Sequence, residues 1–294
     1  MQLDIVDFIT PDQLQLRGLW AGVPDATTVY IFVHGLSSDV FAGRMIHQLV
    51  SNSVAVLSFS NRGSGVISRL KKLNPNIPKG YESITGGMAH EVFTDCIDDI
   101  EGAVRFANDR GAQQIYLVGH STGCQKSVYY LAKTKNRQNI TGVILLAPLS
   151  DYATTALLED KKQYETALAY ALKEVREGRM NRLIPEELWP SELISAQRFL
   201  SLYTPESEEE IFTYSSNKNP DIYQSVSIPV LAVFAGADEH SDRPASELVS
   251  WFAEHSGSKK FNSEVIDSSL HNFKGFENEI CLTIASWSTS TKTE

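Results

Sequence analysis

The sequence predicts an α/β protein in which a mostly parallel central sheet is flanked by helices and interrupted by one helical insertion. Short apolar runs rich in β-branched residues alternate with segments of helical periodicity. Four of these runs are apolar without interruption, which is typical of strands whose two faces are both buried. One long stretch, residues 151–221, breaks the alternation. The four uninterrupted runs are residues 29–33, 54–57, 115–118 and 143–146.

Strands are predicted wherever a β-branched or aromatic run is bounded by turn residues. They cover residues 14–20, 28–34, 54–60, 114–119, 142–147, 230–235 and 263–266. Between two of them, apolar residues at steps of four and three form one stripe on a helix that ends near Gly111. This stripe consists of Phe93, Ile97, Ile100, Val104 and Ala107. Three further helices are predicted over residues 121–133, 245–254 and 277–287.

Residues 151–221 are predicted to be a helical insertion in a core formed by residues 1–150 and 222–294. Apolar residues from Tyr164 to Val175 follow helical spacing, and Gly178 is placed to end that helix. A polar stretch with several prolines follows and contains the acidic run 208–210. Because runs of like charge usually lie in water, this run is predicted at the surface.

Composition and charge exclude several classes of protein. The 294-residue chain has 26 lysines and arginines against 36 aspartates and glutamates, a formal net charge of −10. An acidic chain without a basic cluster lacks the electrostatic footprint of a nucleic-acid-binding protein. No apolar run approaches the ~18 residues of a membrane span, and the acidic N-terminus does not resemble a signal peptide. We therefore expect a cytoplasmic protein.

No cofactor or metal is expected from the motifs. The three cysteines are far apart and favour reduced thiols over a disulfide framework or a zinc site. Residues 61–65 follow a strand but do not form the glycine pattern of a dinucleotide-binding turn. Cys124, close to the serine motif described next, is interpreted as a small buried hydrophobe. The other two cysteines are Cys96 and Cys281.

The strongest local signal is a G-x-S-x-G motif with Ser121 at its centre, directly after a strand and directly before a helix. A serine on such a sharp turn needs small flanking residues, here Gly119 and Gly123, because its backbone crowds its neighbours. In return, its hydroxyl is exposed at the end of the strand. Ser121 is therefore the predicted nucleophile.

A serine hydroxyl needs a general base, and the base needs an acid that orients it. Asp238 follows the strand at 230–235, and His271 follows the last short strand, so the chain order is Ser, acid, His. We predict that Asp238 and His271 complete the triad. Asp242 and Asp267 are alternatives for the acid, and His240 and His255 are alternatives for the base.

The negative charge that develops in acyl transfer needs hydrogen-bond donors. One predicted donor is the backbone N–H of Thr122, the residue after the nucleophile. The second comes from the loop after the strand at 28–34, where Leu36 is the first candidate and Ser37 the second. His34 is expected to brace this loop rather than to transfer protons.

These motifs together resemble a serine α/β-hydrolase over nearly the whole chain. The stretch 119–125 and the insertion are similar to a branch of fungal, plant and microbial hydrolases that includes esterases acting on siderophore esters. The arginines at the end of the insertion's helix contribute to this likeness; they are Arg176, Arg179 and Arg182. The resemblance implies that residues 151–221 form a cap or lid over the active site. Dehalogenases and epoxide hydrolases of this fold carry aspartate where this chain has Ser121.

The predicted function is hydrolysis of an ester-like bond of a small molecule through the triad of Ser121, His271 and Asp238, without a cofactor. Two alternatives remain open. One is another reaction on the same triad: thioester, amide or carbon–carbon bond hydrolysis, or acyl transfer. The other is a non-catalytic protein that keeps the fold and binds a ligand. The arginines of the insertion are predicted to lie on a solvated helix face.

Overall fold

The structure is a computed structural model that describes residues 2–135, 137–158 and 160–291. The predicted domains also include a few residues outside these ranges, namely Met1, Asn136, Glu159 and residues 292–294. The described residues form ten strands of a single sheet. The strands are β1 (Leu3–Ile9), β2 (Leu14–Ala21), β3 (Thr28–Val33), β4 (Val54–Phe59), β5 (Ser68–Leu73), β6 (Tyr81–Gly86), β7 (Gln114–His120), β8 (Ile140–Leu146), β9 (Val230–Ala235) and β10 (Phe261–Ile266).

Six of these strands are parallel and neighbour one another in the order β4-β3-β7-β8-β9-β10. The chain runs from β3 outward to β4 and later returns to the other side of β3 as β7. This reversal makes the carboxyl ends of β3 and β7 a topological switch point, the place where open α/β sheets bind ligands. At the opposite side of the sheet, β2 pairs antiparallel with β1, β4 and β5, and β5 pairs antiparallel with β6.

Helices cover both faces of the sheet. They are α1 (Cys96–Asp109), α2 (Thr122–Lys133), α3 (Asp151–Leu158), α4 (Lys161–Arg176), α5 (Ala196–Tyr203), α6 (Asp221–Gln224), α7 (Ala245–His255) and α8 (Glu277–Ser290). Ile31 of β3 belongs to the core beneath α1, α2 and α7, whereas its neighbour Phe32 belongs to the core beneath α8. The uninterrupted apolar strands are thus buried on both sides, and the predicted fold class is confirmed. Among the described helices, none has both the length and the hydropathy for crossing a membrane.

The sequence analysis missed three strands, and all three lie in the antiparallel part of the sheet. In β1 every second residue is exposed, and acidic residues interrupt its apolar pattern. Strands β5 and β6 are mostly exposed or half-buried and polar, so no apolar run marks them. Their pairing along the β2 edge comes from tertiary context rather than from the local pattern.

The segment 151–221 contains helices α3, α4 and α5 and has a small apolar core of its own. Trp189, Phe199 and Tyr203 pack in this core, with ring centroids 5.1–5.7 Å apart. Leu36, from the loop after β3, packs against the same cluster. The insertion therefore rests directly on the loop that was predicted to hold an oxyanion donor.

The prediction that the acidic run 208–210 lies at the surface is wrong for two of its three residues. Glu208 is exposed as predicted, but Glu209 and Glu210 are each only 3% exposed. Arg198 of α5, itself fully buried, pairs with Glu209, so the carboxylate has a charged partner inside the protein. Charge runs predict solvation only where no partner is available in the fold, and here a buried arginine from the insertion supplies one.

The same arginine joins the insertion to the core. Arg198 Nη2 lies 3.0 Å from Glu91 Oε2, and Glu91 Oε1 lies 2.6 Å from Lys126 Nζ on α2. All of these side chains are at most 1% exposed. Although burial raises the pKa of Glu91, the charges of Lys126 and Arg198 outweigh it and lower the pKa to about 2. The four residues Glu91, Lys126, Arg198 and Glu209 are called the buried ionic network below.

We expect Arg198→Ala to lower the free energy of unfolding by about 3–5 kcal/mol, because it leaves the Glu209 carboxylate buried without a charged partner. Urea denaturation followed by circular dichroism measures this change. Arg176→Ala is the matched control: Arg176 belongs to the same insertion but is exposed, and its loss should change stability by no more than about 0.5 kcal/mol. Equal stability of the two variants would contradict the role of the buried ionic network.

Candidate active site

Ser121 occupies the sharp turn between β7 and α2. Its backbone has φ 55° and ψ −129°, a region that side-chain-bearing residues rarely adopt. The flanking glycines are required by contact: a Cβ on Gly119 would lie 2.4 Å from the carbonyl oxygen of Gly123. A Cβ on Gly123 would lie only 2.0 Å from the carbonyl oxygen of Val33 in β3. The turn that carries the motif is therefore strained and packed against the neighbouring strand.

Asp238 and His271 follow adjacent strands, β9 and β10, and their side chains meet. His271 Nδ1 lies 2.8 Å from Asp238 Oδ2, and the two side chains are 10% and 8% exposed. The other oxygen of Asp238 accepts a hydrogen bond of 2.9 Å from the backbone N–H of His240. Both carboxylate oxygens are thus occupied, which fixes the carboxylate toward the imidazole.

His271 is also held through its backbone. Its N–H donates to Glu239 Oε2 at 2.8 Å, and its carbonyl oxygen accepts from His120 Nε2 at 2.9 Å. Burial, followed by the charge of His271, lowers the pKa of His120 to about 4, which keeps its ring neutral. Neither Glu239 nor His120 was proposed as a functional residue from the sequence, although each is a direct neighbour of a predicted triad residue.

Two of the alternative acids and bases, Asp242 and His255, are engaged elsewhere. Asp242 pairs with Arg243 at 2.7 Å. His255 stacks on Trp251 with ring centroids 4.6 Å apart. His240 lies closer to the site, with its ring perpendicular to that of His271 and the centroids 4.9 Å apart. Among the described residues, the carboxylate that bonds the His271 ring is that of Asp238.

Ser121 and His271 line one cavity of about 410 Å³. Among the described residues there is no hydrogen bond between Ser121 Oγ and the His271 ring, a contact that in many active sites tightens only when substrate binds. The core contributes the loop after β3 to this cavity, and the insertion contributes polar and aromatic side chains. The lining residues of the insertion are Asp151, Thr154, Thr155, Trp189, Ser191, Glu192 and Tyr203.

Of the two residues predicted as oxyanion donors, Thr122 follows Ser121 directly in the chain, and Leu36 belongs to a loop that lines the same cavity as Ser121. Thr122 is the first residue of α2, where backbone N–H groups have no partner within the helix. Gly35, just before Leu36, approaches so closely that a Cβ on it would lie 2.7 Å from the Cβ of Ser121. Leu36 and Ser37 both line the cavity, and Ser37 has a φ of 51°. The loop and the nucleophile are thus in direct backbone contact.

His34 braces this loop, as expected from the sequence. Its Nδ1 lies 2.8 Å from the carbonyl oxygen of Gly35, and its Nε2 accepts from the backbone N–H of Asn61 at 3.1 Å. The Asn61 amide in turn donates to the carbonyl oxygen of His34 at 3.2 Å. Burial, followed by the charge of Lys126, lowers the pKa of His34 to about 4. A neutral ring with one donor and one acceptor nitrogen matches this pair of contacts.

Cys124 is fully buried, with Sγ 3.3 Å from the carbonyl oxygen of Gly119, as expected for a small buried residue. Arg179 and Arg182 pair with Glu174 on the outside of the insertion, and neither lines the cavity. In the ranges that the structure describes, no cluster of His, Cys, Asp and Glu has the geometry of a metal site.

The chain has the α/β-hydrolase fold, as its similarity to solved structures indicates. It is 17% identical to the siderophore hydrolase EstB from Aspergillus fumigatus, covering 100% of this chain and 99% of that one, with a TM-score of 0.69. It is 15% identical to Est1E from Butyrivibrio proteoclasticus, solved with ferulic acid bound, covering 98% of this chain and 99% of that one (TM-score 0.64). With the α/β hydrolase GrgF from Penicillium sp. sh18, the identity is 16%, the coverage 98% of both chains and the TM-score 0.64.

The sequence itself identifies the family. Residues 83–287 match the profile of the family described as protein of unknown function (DUF1749), and the chain belongs to that family. The match covers α1, the serine turn, the insertion, Asp238 and His271. No curated protein matches the sequence significantly.

We expect His34 and His120 to remain neutral at pH 5, because the pKa of each is lowered to about 4. Correlation spectra of the ring nitrogens over pH 4–8 test this, with the urea-denatured protein as the control in which all seven histidines titrate near 6.5. Between pH 6.5 and 4 these two rings bind more protons in the unfolded chain than in the folded one, so the stability that they contribute should fall as the pH is lowered through this window. Protonation of both rings above pH 6 in the folded protein would contradict the assignment.

Proposed function

We propose that the protein is a serine hydrolase that cleaves an ester-like bond of a small molecule through an acyl-enzyme intermediate. The observation that carries this proposal is the 2.8 Å hydrogen bond between Asp238 and His271, beside the cavity that also contains Ser121. A nucleophile on a strained turn, an oriented imidazole and free helix N–H groups are the parts that acyl transfer needs. The solved structures of similar fold include proteins named as esterases, which agrees with this chemistry.

In the proposed reaction, Ser121 Oγ attacks the acyl carbon while His271 Nε2 accepts the hydroxyl proton. The backbone N–H groups of Leu36 and Thr122 stabilise the oxyanion. The imidazolium then donates its proton to the leaving oxygen as the ester bond breaks, and the acyl group stays on Ser121. A water molecule, deprotonated by His271, attacks the acyl-enzyme, and the proton returns to Ser121 as the acid leaves. Asp238 holds the imidazole tautomer throughout.

We further propose that residues 151–221 act as a cap that shapes substrate specificity. Trp189, Glu192 and Tyr203 of this segment line the cavity, which supports such a role. The buried ionic network ties α5 of this segment to the core. The same triad can also hydrolyse thioester, amide or carbon–carbon bonds, or transfer an acyl group to an acceptor other than water. Identification of the bond that is cleaved and of the acceptor distinguishes these reactions from the proposed ester hydrolysis.

We expect Ser121→Ala to lower kcat/KM for p-nitrophenyl esters at least ~1,000-fold, because the nucleophile is lost while the cavity remains. A series of acyl chains of increasing length measures this and gives the size of the acyl pocket. Ser246→Ala, at an exposed serine of α7, is the matched control and should keep wild-type rates. A folded wild-type protein that neither hydrolyses the series nor reacts with a fluorophosphonate at Ser121 would refute the proposal in favour of a ligand-binding protein.

Gly35→Ala tests the contact between the oxyanion loop and the nucleophile. The added methyl would lie 2.7 Å from the Cβ of Ser121 and 2.9 Å from the carbonyl oxygen of His120, so the loop must shift. Loss of one oxyanion donor lowers kcat by about 100-fold or more, and we expect a loss of that size with a smaller change in KM. Steady-state kinetics, with circular dichroism to confirm folding, is the measurement. A folded variant with wild-type kcat would place the donor elsewhere.

A further inference from the structure

The cavity beside Ser121 has an acidic wall on the side of the insertion. Asp151 at the start of α3 and Glu192 before α5 both line it. None of the described residues that line the cavity is a lysine or an arginine. Arg198, the cation of α5, pairs with Glu91 and Glu209 in the buried ionic network. The two cavity carboxylates therefore face the space next to the nucleophile without a cationic partner from the lining.

Asp151 is held in a fixed position relative to the nucleophile. Gln125, one turn along α2 from Ser121, donates to Asp151 Oδ2 at 2.7 Å and to the carbonyl oxygen of Leu149 at 3.0 Å. Burial, followed by the negative charge of Glu209, raises the pKa of Asp151 well above its usual range. A cation in the cavity would stabilise the ionised form and oppose both effects.

Glu192 and Thr155 add groups with free hydrogen-bonding capacity. One oxygen of Glu192 accepts a hydrogen bond from the Tyr203 hydroxyl, whose ring packs 5.7 Å from that of Trp189. Thr155 is only 8% exposed and lines the cavity, yet its hydroxyl has no hydrogen-bond partner among the described residues. Thr155 is thus more than nine-tenths buried as a residue, while its hydroxyl is left without a described protein partner at the cavity; this observation is independent of the carboxylates and points to a polar ligand.

We propose that this cavity binds a primary ammonium group of the substrate between Asp151 and Glu192, so that the ester cleaved at Ser121 carries a protonated amine. An ammonium group has three donors, which match the two carboxylates and the Thr155 hydroxyl. In a partly buried cavity the attraction between opposite charges is screened much less than in water. The inference deepens the proposed function and rests on it for the cleavage step, but binding of the ammonium group can be measured separately.

Two pairs of esters test the proposal, and the two members of each pair differ only in the group at the end of one chain. This end group is on the alcohol part in one pair and on the acyl part in the other. In the first, 6-aminohexyl butyrate is compared with heptyl butyrate, and in the second, methyl 6-aminohexanoate with methyl heptanoate. In at least one pair we expect the amine to raise kcat/KM about tenfold or more over its apolar isostere, measured by titration of the released acid. Equal or faster hydrolysis of the apolar member in both pairs would overturn the proposal.

Charge-removing variants locate the effect. Glu192→Gln and Asp151→Asn should each lower the preference for the amine about tenfold, mainly through KM, since removal of one partner of a desolvated charge pair costs binding energy. Glu186→Gln is the matched control, because Glu186 is exposed in the same segment and does not line the cavity. A preference that survives in both cavity variants, or that falls equally in the control, would overturn the assignment of these carboxylates.

A binding measurement separates this proposal from the proposed function. Calorimetry on Ser121→Ala with 6-aminohexyl butyrate and heptyl butyrate needs no turnover. Tighter binding of the amine, lost in the Ser121→Ala, Glu192→Gln double variant, supports the ammonium site even if the wild type hydrolyses no ester. Equal binding of the two esters by Ser121→Ala, together with turnover by the wild type, refutes the ammonium site and leaves the hydrolase proposal standing.

Discussion

The close packing of the turn around Ser121 against the end of β3 is the constraint on which the candidate site depends. At Gly123 there is no room for a side chain, because the carbonyl oxygen of Val33 fills the place of a Cβ. A Cβ on Gly35 would likewise clash with the Cβ of Ser121. Two backbone segments from different strands therefore touch at the nucleophile. This contact is what brings a helix N-terminus and a loop of free N–H groups to the same point, and it tolerates only glycine at both places.

The sheet order explains why these segments meet. Strands β3 and β7 are neighbours because the chain reverses direction across the sheet after β4. Adjacent parallel strands end at the same edge, so the loop after β3 and the turn after β7 lie side by side. Strands β9 and β10 are likewise neighbours, and residues 238 and 271 lie just beyond their ends. Topology thus brings Ser121 and His271, which are 150 positions apart in the sequence, to the same cavity.

These relations decide how much could be predicted from the sequence. The two-sided burial of the parallel strands leaves uninterrupted apolar runs, so those strands and the residues that follow them, including Ser121, could be located. Chain order and the strand ends favour Asp238 and His271, but they leave alternatives open, and it is the structure that pairs these two side chains. What could not be predicted depends on partners supplied by other elements. Strands β5 and β6 pair through tertiary context, and Glu209 is buried because Arg198 lies opposite it. The contact of Glu239 with the His271 backbone has no local pattern at all.

The distribution of charge within the insertion follows from its attachment to the core. A buried arginine in α5 needs carboxylates beside it, and Glu91 and Glu209 fulfil that need at the interface with α2. The exposed arginines after α4 are oriented toward Glu174 on the outer surface. Arg198 therefore holds the insertion in place, and Arg179 and Arg182 lie on its outer side, whereas Asp151 and Glu192 line the cavity. Because Arg198 is engaged at the interface with the core, this segment contributes carboxyl groups but no lysine or arginine to the described lining of the cavity next to the nucleophile.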